Sequence, residues 1–267
     1  MSAGFFLFKK TESLHSRSFL AKKKAKLNSA GIPEDKSSYR FNKMRYPWGC
    51  HMANLKSRRE LWLGLGVFIL FLIWTWVIKQ NFNWLTAFDQ KAKSIFYGFG
   101  GPRLSALWAG ITHLGDFSFC LIMVVLIGLI FAFFKRGLTG IVFFLGLIGA
   151  KLSSDYFKKW VGRPRPKLSH LITRGPYTYP SGHMTFATFF YGFLLALLVI
   201  LILHNGKRHV AWLFGFVFIL YISIIGASRL VLGDHFLSDV IGGFLLGSSW
   251  LFVCFAFLKA ARKKGFR

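Results

Sequence analysis

The stretch Leu61–Ile78 reads LWLGLGVFILFLIWTWVI, and every residue in it is apolar, aromatic, glycine or threonine. As a helix, about 18 residues are just long enough to cross a hydrocarbon layer of about 30 Å. No small-residue cleavage site follows, so the stretch is not typical of a signal peptide that is removed. It predicts a first transmembrane helix.

Apolar blocks of similar length follow along the chain, which is 54% hydrophobic. They cover Phe117–Phe134, Leu138 to about Tyr156, Met184–Leu203, Val210–Ala227 and Phe236–Leu258. Two of the blocks are interrupted by an acidic residue, Asp155 in one and Asp239 in the other. The pattern predicts an all-α fold, an integral membrane bundle of six transmembrane helices within a domain covering residues 59–267.

The segment Gln80–Asp116, between the first and second predicted spans, is more polar and contains GFGGP at Gly98–Pro102. Apolar side chains recur upstream at helix-like spacing, namely Trp84, Leu85, Phe88 and Ile95. We therefore predict a loop that carries one short interfacial helix, with His113 and Asp116 capping the second span.

Residues 1–58 are rich in Lys, Arg and Ser and lack sustained apolar periodicity. They predict a basic, disordered cytosolic tail, and a polybasic lipid anchor is the alternative. Met52 begins MANLKSRRELWLG, a short basic flank that leads directly into the first span. A translation start at Met52 is therefore a further interpretation, in which the preceding residues are not part of the protein.

The 35 Lys and Arg residues outnumber the 9 Asp and Glu residues and give a net charge of +26. Such an excess suits nucleic acid, anionic lipid or a phosphorylated substrate. The charges lie in the tail and in short loops between apolar blocks, with no RNA-binding or DNA-binding motif beside them. We therefore expect membrane lipids, and not nucleic acid, as partners; nothing in the sequence sets the oligomeric state.

Orientation follows from the basic loops. In a six-span arrangement, the tail, Lys135-Arg136, Lys207-Arg208 and Lys259–Arg267 fall on one side, which the positive-inside rule makes cytosolic. The segment Lys158–His183 falls on the opposite side although it is also basic. Cations that break the usual bias are readily explained as ligands for an anion.

Three short clusters meet on that opposite, extracytoplasmic side. The first holds Lys158 and Arg165, seven positions apart and able to reach one anion. The second, Pro180–His183, precedes an apolar span, where a helix start exposes unpaired backbone N–H groups to a phosphate. The third, Ser228–Asp239, sets His235 and Asp239 four residues apart on one helix face, so that the carboxylate can orient the imidazole as a nucleophile.

In order and spacing, these clusters resemble the three-part pattern of the type 2 phosphatidic acid phosphatase superfamily: Lys, six residues, Arg-Pro; then Pro-Ser-Gly-His; then Ser-Arg, five residues, His, three residues, Asp. The matching positions are Lys158-Arg165-Pro166, Pro180–His183 and Ser228-Arg229-His235-Asp239. The resemblance covers roughly Leu61 to Leu258 and implies a membrane-bound lipid phosphatase.

The resemblance also implies roles for individual residues. His235 attacks phosphorus, Asp239 orients it, and His183 protonates the departing oxygen and then assists water in hydrolysing the phosphohistidine. The phosphoryl oxygens are bound by cations and hydrogen-bond donors, namely Lys158, Arg165, Arg229, Ser181 and Gly182. The substrates implied are undecaprenyl diphosphate, slightly favoured, then phosphatidylglycerol phosphate, then phosphatidic acid.

Other charged residues near the clusters carry weaker predictions. Asp155 is expected to pair with Lys158 or a neighbouring arginine, and Asp234 has either a structural or a functional role beside His235. Arg163 and Lys167 either touch a second phosphate or lipid headgroup or are solvated or membrane-facing.

No carboxylate cluster for magnesium is evident, so the sequence predicts catalysis without a metal or cofactor. Cys50, Cys120 and Cys254 have no spacing typical of a disulfide framework or a zinc site. The alternatives left open are a lipid phosphotransferase, which passes the phosphoryl group to an alcohol or sugar, a vanadate-dependent haloperoxidase, and a non-catalytic lipid-binding or transport protein.

Overall fold

The structure is a computed structural model that describes residues 57–99, 102–166 and 175–263. The predictions for the basic tail, for a start at Met52 and for Lys167 lie outside the described residues.

Within these ranges the chain is helical and contains no β-strand. The helices are α1 Ser57–Gln80, α2 Asn83–Tyr97, α3 Pro102–His113, α4 Phe117–Phe133, α5 Gly137–Val161, α6 Gly182–His204, α7 Arg208–Val231 and α8 Leu237–Lys263. The predicted all-α membrane bundle is confirmed.

Among the described residues, five helices are long and apolar enough to cross a membrane by themselves: α1, α5, α6, α7 and α8. Helix α4 has only 17 residues. It follows Leu104–His113 of α3 after a short break with a bend of 42°, and the two helices together pass the same test. The predicted count of six spans therefore depends on this broken pair.

The connector between the first two predicted spans is more structured than the sequence predicts. It contains two helices, α2 and α3, instead of one short helix. In α2, Leu85, Asp89 and Ala92 are buried at positions i, i+4 and i+7, whereas Trp84, Phe88 and Ile95 are exposed. The helix persists because this one face packs against the bundle.

Close packing between α6 and α8 positions the predicted phosphate-binding turn. A Cβ built on Gly243 would lie 2.5 Å from the Ser181 carbonyl oxygen, and one on Gly247 would lie 2.5 Å from the Thr185 carbonyl oxygen. The backbone N–H of Ser181 donates to the carbonyl of Asp239 over 3.0 Å. The beginnings of α6 and α8 are therefore fixed against each other.

The far end of the bundle is held by its own polar contacts. Lys259 of α8 pairs with Glu60 of α1, and Arg262 donates to Thr139 of α5 over 3.0 Å. We call this the far end, and the end that carries His183 and His235 the site end.

Candidate active site

All the residues that the three sequence clusters single out lie at the site end. Lys158 stands in the last turn of α5, Gly182 and His183 begin α6, and Arg229 stands in the last turn of α7. His235 and Asp239 lie just before and in the first turn of α8. The charge of Lys158 is close enough to interact with those of Arg165, Arg229 and His235. The fold thus brings the three clusters together.

His235 lies in the short turn between α7 and α8, with its backbone N–H donating to the carbonyl of Arg229 over 3.3 Å. Its side chain is buried, and its Nδ1 lies 3.6 Å from Oδ2 of Asp239. Burial lowers the pKa of His235 to about 3; Arg229 and Lys158 act in the same direction, and Asp239 opposes them. The imidazole is therefore neutral near pH 7, the form that a nucleophile requires.

The carboxylate of Asp239 is fixed in place by several donors. It accepts hydrogen bonds from the Thr178 hydroxyl, from the backbone N–H of Phe236 at 2.9 Å and from Nη1 of Arg163 at 2.7 Å. The 3.6 Å contact to His235 is longer than a hydrogen bond. Such contacts are often long without substrate and tighten when substrate binds.

Arg163 joins Asp239 to a second buried carboxylate, that of Asp89 on α2. Nη2 of Arg163 lies 2.7 Å from Asp89, which also accepts from the hydroxyl of Ser238 over 2.6 Å and from its backbone N–H over 3.0 Å. Burial alone would lower the pKa of Arg163, but the two carboxylates outweigh it and raise the pKa. Arg163 was predicted to touch a second phosphate or headgroup, or to be solvated or membrane-facing. These predictions are wrong, because both carboxylates bind Arg163 inside the protein.

Arg229 is wholly buried near the end of α7. Its Nη1 donates to the Thr112 hydroxyl over 2.6 Å, and its Nη2 pairs with the Asp234 carboxylate. Asp234, whose role the sequence left open, therefore anchors this arginine. Removing one partner of a buried pair is strongly destabilising, so we expect the pair to fix the position of Arg229.

His183 is held by a carboxylate of its own. Its Nε2 lies 2.5 Å from Oδ1 of Asp116, and the other oxygen of Asp116 lies 2.6 Å from Nδ1 of His113. Asp116 occupies the N-cap position of α4 but makes no capping bond with its side chain. The predicted capping role is therefore wrong, because the carboxylate faces the two histidines.

The start of α6 combines backbone donors with a cation. A Cβ built on Gly182 would lie 3.3 Å from Nζ of Lys158. The lysine amine therefore lies close to the backbone of Gly182, where any larger residue would crowd it. Ser181 is fully buried, and its hydroxyl has no hydrogen-bond partner among the described residues. Arg165 donates to the carbonyls of Gly175 at 2.7 Å and Asp234 at 3.1 Å. A helix start with adjacent cations is suited to binding a phosphate.

Comparison with known proteins agrees with this geometry. Residues 139–263 match the sequence pattern of the PAP2 superfamily. Phosphatidylglycerophosphatase B of Bacillus subtilis (strain 168) is 31% identical over 205 residues, which cover 75% of this chain and 98% of that protein. The chain belongs to the PAP2 superfamily.

A solved structure extends the likeness to three dimensions. The crystal structure of the first transmembrane PAP2 type phosphatidylglycerolphosphate phosphatase from Bacillus subtilis has 30% sequence identity and a TM-score of 0.64. The match covers 74% of this chain and 96% of that one. This PAP2 protein is therefore a membrane-bound phosphatase, and the predicted resemblance is confirmed.

Several residues that support this PAP2 site were missed at the level of sequence. Asp89 and Asp116 lie outside the three clusters, and Thr178 lies two residues before the second. Asp89 had a detectable signal, because it is an acidic residue on the apolar face of an amphipathic helix. Asp155 was predicted to pair with Lys158 or an arginine, and it pairs with Lys151, one turn earlier on the same helix.

No group of three or more His, Cys, Asp or Glu residues is placed to hold a metal ion within the described part of this PAP2 chain. Catalysis without a metal stays a prediction, which the experiment below tests.

Proposed function

We propose that this PAP2 protein hydrolyses the phosphate ester of a membrane lipid, with phosphatidylglycerol phosphate as the leading substrate. The observation that carries the proposal is the pair of histidines at the site end, each beside its own carboxylate, next to Lys158 and Arg229. The choice of lipid rests on the name of the 31% identical relative. Undecaprenyl diphosphate, slightly favoured by the family resemblance, and phosphatidic acid are the alternative substrates.

The first step forms a bond between His235 and phosphorus. The neutral imidazole attacks, the P–O bond to the lipid breaks, and His183 gives its proton to the departing oxygen. In the second step water attacks the phosphohistidine, His183 takes a proton from that water, and the P–N bond breaks to release phosphate. His183 ends the cycle in the protonation state in which it began.

Cations and donors around the phosphate supply most of the rate acceleration in such a mechanism. Lys158, Arg165 and Arg229 neutralise charge on the phosphoryl oxygens, while the Ser181 hydroxyl and the Gly182 N–H donate hydrogen bonds. The buried Ser181 hydroxyl supports this assignment, since a buried donor is expected to find a partner.

Asp239 orients His235 and stabilises positive charge on the ring as the bond to phosphorus forms. Its own position depends on Thr178 and on the Arg163–Asp89 pair. We assign these residues to positioning, because they contact Asp239 and its neighbours.

We place the site at the extracytoplasmic surface and both termini in the cytosol. The far end of the bundle carries the basic loops at Lys135-Arg136 and Lys207-Arg208, which supports this orientation. A lipid can then present its headgroup at the site end while its tail remains in the bilayer. The basic segment 1–58 is proposed to be separate from the catalytic domain.

The test is phosphate release by purified, detergent-solubilised protein from phosphatidylglycerol phosphate, undecaprenyl diphosphate and phosphatidic acid, with EDTA present. We expect release that persists in EDTA, is fastest with phosphatidylglycerol phosphate, and vanishes in His235→Ala. Transient labelling by ³²P substrate, stable in base and labile in acid, would identify the phosphohistidine. Folded wild-type protein that releases phosphate from none of these lipids would overturn the proposal.

A further inference from the structure

An apolar groove of about 350 Å³ lies directly beside the candidate active site. It is lined by one face of α7, comprising Ile219, Ile222, Ser223, Gly226, Ala227 and Leu230. A matching stripe of α8 forms the second wall, with Leu237, Val240, Ile241 and Phe244. Among the described residues that line the groove, Ser223 alone has a hydroxyl and none is charged, so the groove suits hydrocarbon.

The groove comes close to the site residues through their neighbours in the chain. Its lining residues include Met184, Leu230 and Val240, each of which immediately follows a residue assigned to the site: His183, Arg229 and Asp239. All three lining residues are buried, whereas Ile219 and Ser223 are exposed. The groove therefore extends from positions next to the site residues to the exposed side of α7.

The length of the groove matches one leaflet. From Ile219 to Leu230, α7 rises about 16 Å at 1.5 Å per residue. Half of a hydrocarbon layer of about 30 Å is about 15 Å. Because α7 ends at the site, the groove extends from the level of the catalytic histidines to about the middle of the bilayer.

Small side chains on α7 keep the groove open. A Cβ built on Gly226 would lie 3.0 Å from Cγ1 of Val240 and 3.8 Å from Sδ of Met184, so even alanine would narrow the space there. Ala227 and Ser223 line the same stretch and leave room beside them. Helices packed for stability alone would fill such a gap with larger side chains.

We propose that one hydrocarbon chain of the substrate lipid lies in this groove, between α7 and α8, while its phosphate is bound next to His235. The proposal rests on the proposed function, since it assigns a place to the tail of a lipid phosphate. Ser223, Gly226 and Ala227 then determine which chains the enzyme accepts: a slender acyl or prenyl chain fits, and a bulky tail does not.

The first test compares substrates with one headgroup and different tails. Ser223→Phe and Ala227→Leu each fill part of the groove, and Ile224→Phe places a phenylalanine on the same helix outside the groove lining. We expect the two groove variants to lower kcat/KM for dioleoyl phosphatidylglycerol phosphate at least about tenfold, the effect of losing a few buried methylenes. With dihexanoyl phosphatidylglycerol phosphate, whose chains are short, kcat/KM of the two groove variants should remain within about twofold of wild type. The same should hold for Ile224→Phe with both lipids.

Equal losses with both lipids, or no loss with either, would overturn the groove as the binding site for the tail. Wild-type protein that hydrolyses neither lipid would instead contradict the proposed function.

A second test uses the unmodified protein and so does not depend on a variant folding. A dioleoyl-type phosphatidic acid with a diazirine near the middle of one acyl chain is photolysed with the protein in detergent. We expect cross-links to peptides containing residues 219–230 or 237–244, suppressed by excess unlabelled lipid phosphate. Cross-links elsewhere, or labelling that dioleoyl phosphatidylcholine suppresses equally well, would assign the groove to ordinary bilayer lipid and overturn the proposal.

Discussion

At the scale of single residues, the burial of His235 sets a pH dependence of stability. Burial lowers the pKa of His235 to about 3, against 6.5 for an ordinary histidine. Between these values the unfolded chain binds a proton at this position and the folded protein does not, so stability falls as the pH falls from 6.5 towards 3. The loss can reach about 1.4 kcal/mol per pH unit.

We therefore expect the thermal unfolding midpoint of wild type to fall more steeply between pH 6.5 and pH 4.5 than that of His235→Gln, which cannot titrate there. The measurement is a thermal scan of both proteins in one detergent. Parallel pH profiles for the two proteins would show that His235 is not held neutral by the fold.

Asp116 offers a second prediction at this scale, because its contact with His183 is 2.5 Å and it lies outside the three clusters. If Asp116 holds His183 in place to protonate the departing oxygen, then Asp116→Asn should slow the hydrolysis of alkyl phosphate esters about 100-fold, within the usual range for general acid catalysis. Hydrolysis of a nitrophenyl phosphate that carries an alkyl chain on its ring should be slowed less than about fivefold, because its leaving group needs no proton. Phosphate release from both substrates is the measurement.

The controls separate positioning from folding. Glu60→Gln removes a carboxylate at the far end and should affect both substrates equally. In the background of His183→Asn, adding Asp116→Asn should lower the rate of hydrolysis little further, since the effects of residues that act together are not additive. An equal loss with both substrates in Asp116→Asn would make its role merely structural.

These residues differ in whether the sequence alone could predict their place in the site. His183, His235, Asp239 and Lys158 occur at fixed spacings within short segments, and the structure gathers them at one end. Asp116 and Asp89 reach the site only through the packing of α2 and α4, so no local pattern connects them to it. Arg163 was assigned wrongly for the same reason, since its partner Asp89 is 74 positions away.

At the scale of elements, long apolar blocks made the spanning helices predictable, because a helix alone satisfies its backbone in lipid. The connector was less predictable. Helix α2 has a buried face with an acidic residue in it, and its hydrophobicity is too low to mark it among spans. The buried position of this acidic residue is explained only by the tertiary contacts of Asp89 with Arg163 and Ser238.

The contact between α6 and α8 yields the prediction at this scale. In Gly243→Ala the new Cβ would lie 2.5 Å from the Ser181 carbonyl and 2.9 Å from Cβ of Met184, so the start of α6 must move away from α8. We expect a loss of roughly 1–3 kcal/mol of stability, typical of overpacking, and at least about tenfold lower activity, because Ser181 and Gly182 move.

Gly66→Ala is the matched control, since a Cβ on Gly66 meets nothing within 4 Å. Unfolding midpoints and phosphate release are measured for both variants. Activity in Gly243→Ala equal to that in Gly66→Ala would show that the α6–α8 contact does not set the geometry of the site.

At the scale of the whole molecule, the two ends of the bundle are both basic, but their charges are arranged differently. At the site end, carboxylates bind two of the arginines: Asp89 and Asp239 bind Arg163, and Asp234 binds Arg229. At the far end, Lys135 and Lys207 lie in short exposed turns, as expected for cations that set orientation. The far end should therefore face the cytosol, even though a simple count of positive charges would not separate the ends clearly.

Cysteine labelling tests this orientation. In a Cys50→Ser background, Ser94→Cys places a thiol on the exposed surface of α2 at the site end, and Asn205→Cys places one in the exposed turn between α6 and α7 at the far end. The other native cysteines of the chain, Cys120 and Cys254, are buried. A membrane-impermeant maleimide applied to intact cells should label the thiol at position 94, and should label the one at position 205 only after permeabilisation. The reverse pattern would put the phosphatase site in the cytosol, and the basic segment Lys158–Arg165 would then follow the positive-inside rule without needing an anion to explain it.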